Sequence, residues 1–248
     1  VKDAAVMVRK ALSEALSHSE NVPHDIAVEL ARDVDDVALP MLVSSPVLSD
    51  EDLIAIVRGG ESAKQVAIAG RASVSENVAS ELVDSGNEKA TQVLVRNDGA
   101  KLSEQIFTSV LDIYGDNDQI KEAIAERPEL PIDVSERLIT MVSGRLKQYL
   151  IERHALSERQ ANILSDDTRE RATVDLLEQA TKAVDIEKFV LHLKQNKRLT
   201  PSLIVRAICT GDVRFFETAM AVLAKVPVKN ARLMIHDNGR LGLRAIFN

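Results

Sequence analysis

The chain has 248 residues, of which 45% are hydrophobic but only 3% aromatic, with no Trp, so any large core must be built from Ala, Val, Leu and Ile. Ten Gly and seven Pro are too few for the many tight turns of an all-β fold, and no apolar run reaches the ~18 residues of a membrane span. The net charge of −7 is uneven: −6 over residues 1–60, −7 over 61–144 and +6 over 145–248.

From the start at Val1 there is no basic stretch leading into an apolar segment, so no signal peptide is read and the chain is expected in the cytoplasm. One unit then keeps returning. An apolar residue followed by Ser or Pro opens an amphipathic stretch at Val22-Pro23, Leu48-Ser49, Val74-Ser75, Leu102-Ser103, Leu130-Pro131 and Leu156-Ser157, with spacings of 26, 26, 28, 28 and 26 residues. A fixed period of this size marks stacked structural repeats. Each copy reads as two short helices. In the third, Lys64–Ala69 form one, Gly70 to Ser73 break it, and Ser75 caps the next by accepting unpaired first-turn N–H groups. Ser49-Asp50-Glu51-Asp52 and Ser157-Glu158-Arg159-Gln160 resemble capping boxes. Apolar residues recur at helical spacing (Leu53, Ile56, Val57; Val78, Leu82, Val83; Ile106, Val110, Leu111; Val134, Leu138, Val142), and Gly86, Gly115 and Gly144 stand where left-handed C-caps are wanted. Helices this short are stable only when packed on neighbours.

After Ser157 the beat changes. Thr168 to Val184 reads as one longer helix, and Phe189, Val190 and Leu193 mark another. The unit returns at Leu199-Thr200-Pro201 and Val226-Pro227. A soft boundary near 166–168 gives a regular array over 1–166 and a capping helical subdomain over 167–248. The expected fold is all-α, a right-handed α-solenoid of short helix pairs. The single Cys209, in an apolar helical setting, reads as a small core residue.

Chemistry is sparse. The five His do not form metal-binding helical pairs, and no nucleophile elbow, phosphate loop or dinucleotide fingerprint is present, so no catalytic residue, metal or cofactor is assigned. Two features remain. Arg71, Arg127 and Arg153 each precede by three residues the apolar residue that opens the next helix, so a stack lines them along one edge, where guanidinium forks suit carboxylates or phosphates. Bonding to the last carbonyls of their own helices, or pairing with a Glu of the next repeat, accounts for the same residues. The second feature is the tail. Asp212 reads as an N-cap ahead of Phe215 and Phe216, and His236, Asp237, Arg240 and Arg244 sit on or beside a polar turn that is either a small binding site or a cap on the array.

The run Ala207 to Asp212, then Phe215-Phe216-Glu217, Val226-Pro227, Ala231-Arg232 and Ile235-His236-Asp237-Asn238-Gly239-Arg240-Leu241-Gly242 resembles an uncharacterised bacterial family, domain of unknown function 2336. The preceding repeats, with their Leu-Ser-Glu starts, are similar to the same family and to leucine-rich-variant and HEAT-like arrays. The resemblance implies an all-helical solenoid and brings no known activity. Leucine-rich-variant proteins can carry a cysteine-ligated iron–sulfur cluster, which a chain with only Cys209 does not match.

The expected function is a protein–protein interaction module, an adaptor or scaffold in a regulatory role, because helical arrays expose long recognition surfaces. Nucleic-acid binding through the basic last third is the alternative. It is opposed by the acidic first 144 residues and by the few aromatics available for base stacking. An enzyme using His236 and Asp237 is a third reading.

Overall fold

The structure, a computed structural model, describes residues 2–154, 157–180 and 186–236. The described residues are all-helical apart from one isolated β-bridge between Val74 and Ala100. The chain divides into two compact units, Val1–Leu130 and Pro131–Asn248.

The first unit holds α1 (Lys2–Leu16), α2 (His24–Ala31), α3 (Asp35–Ser44), α4 (Asp50–Arg58), α5 (Ser62–Ala69), α6 (Glu76–Asp84), α7 (Glu88–Arg96), α8 (Glu104–Tyr114) and α9 (Asp118–Ala125). Odd-numbered helices pack each on the next, α1 on α3 and so on to α9. Among the even ones, α4 packs on α6 and α6 on α8, while α2 reaches α4 through His24 Nε2 and Asp52 Oδ2, 2.7 Å apart. Each even helix from α2 to α8 also packs on the odd helix after it. Two helical layers therefore enclose an aliphatic core whose deepest members include Met41, Leu42, Ile68, Leu82, Leu94, Leu111, Ile120 and Ile124.

Local chemistry sets the starts. Ser49 forms a full capping box with Asp52, Ser75 accepts from Val78 N, and Asn87 and Asn117 cap α7 and α9. Gly86 takes the expected positive φ of +71°, whereas Gly115, at the end of α8, keeps a right-handed helical φ of −59° instead of the expected left-handed cap. Gly99 is required for another reason: a Cβ there would stand 2.0 Å from Ala72 O. That approach lets the loops after α5 and α7 pair, Val74 N donating to Gly99 O and Lys101 N to Val74 O.

The second unit opens into two helices of 23 residues, α10 (Ile132–His154) and α11 (Glu158–Ala180), followed by α12 (Ile186–Gln195), α13 (Pro201–Cys209), α14 (Val213–Ala224) and α15 (Val228–His236). α11 packs back along α10, with Ser165 Oγ donating to Ser143 O at 2.9 Å. Val174, Leu177, Phe189, Leu193, Leu203, Ile204 and Phe215 form its core, and a second cluster of Met220, Ala221 and Ala231 seats α15 on α14.

Several expectations are corrected here. Gly144 lies inside α10 rather than capping a short helix, because the residues that follow it continue the helical hydrogen bonding. The helix expected to start at Thr168 begins at Glu158, so 166–168 is helix interior, and the compact units part after Leu130. Cys209 is exposed. The buried face of α13 is Leu203, Ile204 and Ala207, and Cys209, two residues further on, is turned away from it.

Candidate functional site

Arg71 and Arg127 sit where two odd helices of the first unit end. Arg71 donates from Nη1 to Leu42 O at 2.5 Å and from Nη2 to Ser45 O at 2.7 Å. Arg127 donates from Nη1 to Val95 O and Asn97 O at 2.9 and 3.0 Å, and from Nη2 to Ala100 O at 3.1 Å. Between them Asn97 sends its amide to Ala69 O and Arg71 O at 2.8 and 2.7 Å. Each of the three residues thus binds carbonyls at the end of the preceding odd helix, groups that no helical N–H satisfies. Burial pushes the Arg71 guanidinium below its ordinary value, with the charge of Asp50 opposing. The Arg127 guanidinium also stands 5.7 Å from the Phe107 ring centre. Arg153 is placed differently, exposed near the end of α10.

On the even layer, Glu76, Asn77, Ser80, Asp84, Ser103 and Ser109 line a groove of about 420 Å³ between α6 and α8, floored in part by Val83 and Ile106. Ser103 is the N-cap of α8 but makes no cap bond, and its buried hydroxyl has no partner. Charge divides sharply between the layers. α2, α4, α6 and α8 carry ten Asp or Glu and one cation, Arg58, whereas α1, α3, α5, α7 and α9 carry seven acidic and seven basic residues. Arg58 is itself engaged, its guanidinium 3.0 and 2.8 Å from the carboxylate of Glu81.

In the second unit, Asp212 caps α14 through Phe215 N at 3.1 Å, and Phe216 is half-buried against both core clusters. His236 Nε2 lies 2.6 Å from Glu217 Oε1, and Arg232 Nε donates to Glu217 Oε2 at 2.8 Å. Burial opposes ionisation of Glu217, but the bonds to His236 and Arg232 outweigh it and hold the carboxyl below the usual range. Asp237, Arg240 and Arg244 lie outside the described residues.

A buried charged group that sequence reading missed joins α10 to the α12–α13 connection. Arg198 Nη1 is 2.7 Å from Glu136 Oε1 and also bonds Thr140 Oγ1, and His192 approaches Glu136 at 3.5 Å and Asp133 at 3.8 Å. Burial resists ionisation of Glu136, yet His192, Arg198 and Thr140 together hold its carboxyl below the ordinary value. Nearby, Glu170 accepts from Thr200 and Ser202, both at 2.6 Å. Glu136 and Arg198 lie 62 positions apart, so no local spacing marks them. The acidic layer had a visible signal, since carboxylates follow the Ser ahead of α4, α6 and α8, in Ser49-Asp50-Glu51-Asp52, Ser75-Glu76 and Ser103-Glu104.

No curated protein and no solved structure matches the chain. A family model does, over residues 37–248, which takes in all of the second unit and most of the first. The chain therefore belongs to the bacterial family described as "Uncharacterised protein conserved in bacteria (DUF2336)".

Proposed function

We propose that the chain is a protein-binding helical-repeat module, acting as an adaptor or scaffold, with its first unit a right-handed HEAT-like α-solenoid of short helix pairs. The repeating odd-on-odd and even-on-even packing supports the solenoid reading. One observation carries the binding reading. The polar side chains at the loop edge are occupied with backbone carbonyls, whereas the outer face of α6 and α8 is grooved and polar. A surface of that kind offers recognition without asking the array to rearrange.

The test fills the groove. Ser80 and Ser109 both line it, so Ser80→Tyr/Ser109→Tyr blocks it while leaving the core untouched. Affinity capture from the source cell, with unchanged helical circular dichroism as the control, is expected to lose a specific partner. A partner set identical to that of the unaltered protein overturns the proposal.

A further inference from the structure

We infer that the even-helix face takes an extended basic segment of a partner protein, one with Lys or Arg at about every third position. This rests on the protein-binding reading above and names the chemistry of the partner. The ten-to-one excess of carboxylates on α2, α4, α6 and α8, against an even balance on the odd helices, gives the two layers different electrostatic characters. Glu51, Glu76, Asp84 and Glu104 are exposed on three consecutive helices of that face, and the single cation, Arg58, is held by Glu81.

Geometry narrows the ligand. Packed helices stand about 8–10 Å apart, and among the described residues no three His, Cys, Asp or Glu side chains converge as a bound metal ion requires. A segment in the polyproline-II conformation has three residues per turn and rises about 3.1 Å per residue, so every third side chain lies on the same face about 9 Å further along. A basic residue at each third position therefore meets one helix after another. Lys and Arg also have aliphatic stems that can lie on Val83 and Ile106 in the groove while the charged heads reach Glu76 and Asp84.

The probe is a short fluorescein-labelled peptide with Arg at every third position and Gly or Ser between, followed by anisotropy at low and physiological salt. The quadruple variant Glu51→Gln/Glu76→Gln/Asp84→Asn/Glu104→Gln is expected to bind it about tenfold more weakly or worse. A matched quadruple on odd helices, Asp35→Asn/Asp36→Asn/Asp118→Asn/Glu122→Gln, removes the same charge and is expected to change binding less than about twofold. Equal weakening by the two quadruples, or no binding at low salt, overturns the inference. If a cellular partner is lost on filling the groove but the peptide ignores the even-layer carboxylates, the protein-binding reading stands and the basic partner does not.

Discussion

The two units hold their helices together by different chemistry. In the first, Arg71, Asn97 and Arg127, each just past the end of an odd helix, reach to backbone carbonyls at or beyond the end of the odd helix before. In the second, beside carbonyl bonds from Ser165 to Ser143 and from Lys194 to Val222, three sets of distant contacts converge on buried carboxylates: Glu136 with Arg198 and His192, Glu170 with Thr200 and Ser202, and Glu217 with Arg232 and His236. A carbonyl acceptor neither titrates nor carries a full charge that can be stranded. A buried carboxylate does both. Regularity follows from the first device, since a carbonyl is available at every helix end, whereas the second demands particular residues at particular places.

The strongest way to break this comparison is to remove a donor from each unit. Arg198→Met leaves Glu136 buried without its guanidinium, and the loss is expected to be about 3–5 kcal/mol in urea unfolding. Adding Glu136→Gln to that variant is expected to restore part of it, because the stranded charge is gone. Arg127→Met removes three bonds to carbonyls that remain neutral, so a smaller loss of about 2 kcal/mol is expected. If Arg127→Met costs as much as Arg198→Met, the distinction between the devices fails.

Acid sharpens the same point with the smallest effect. The carboxyls of Glu136 and Glu217 are held below their ordinary value in the folded chain. Their contribution is therefore complete above the unfolded glutamate value of about 4.3, and it is lost as pH falls through the lower folded values. Asp33, Asp52 and Glu81 of the first unit are lowered too, but their side chains are 20, 14 and 22% exposed, against 4 and 5% for Glu136 and Glu217, so water screens those pairs more and they contribute less. Hydrogen exchange at decreasing pH is expected to show α10, α12, α14 and α15 opening before α5, α7 and α9. The reverse order contradicts the assignment.

What could be read from the sequence follows the range of each signal. Helix starts depend on a few adjacent residues, and Ser49, Ser75, Ser157 and Asp212 act as caps in the structure. Helix ends are less legible. Gly144 has nothing within 4 Å of where a Cβ would sit, so it is tolerated inside α10 at about 1 kcal/mol relative to Ala. A sequence cannot distinguish that from a cap without knowing that α11 packs alongside. The spacing located Arg71 and Arg127 but passed over Asn97, which does the same work with a different side chain. Glu136 and Arg198 meet only because α10 and the α12–α13 connection are brought together by packing, which no periodic pattern records.

The direction of the three loop contacts has a consequence for synthesis. Arg71, Asn97 and Arg127 all donate to acceptors that precede them by 26 to 32 residues. On the ribosome the acceptors emerge first, so the open carbonyls at these three helix ends are closed only once the next odd helix and the residues just after it have been made.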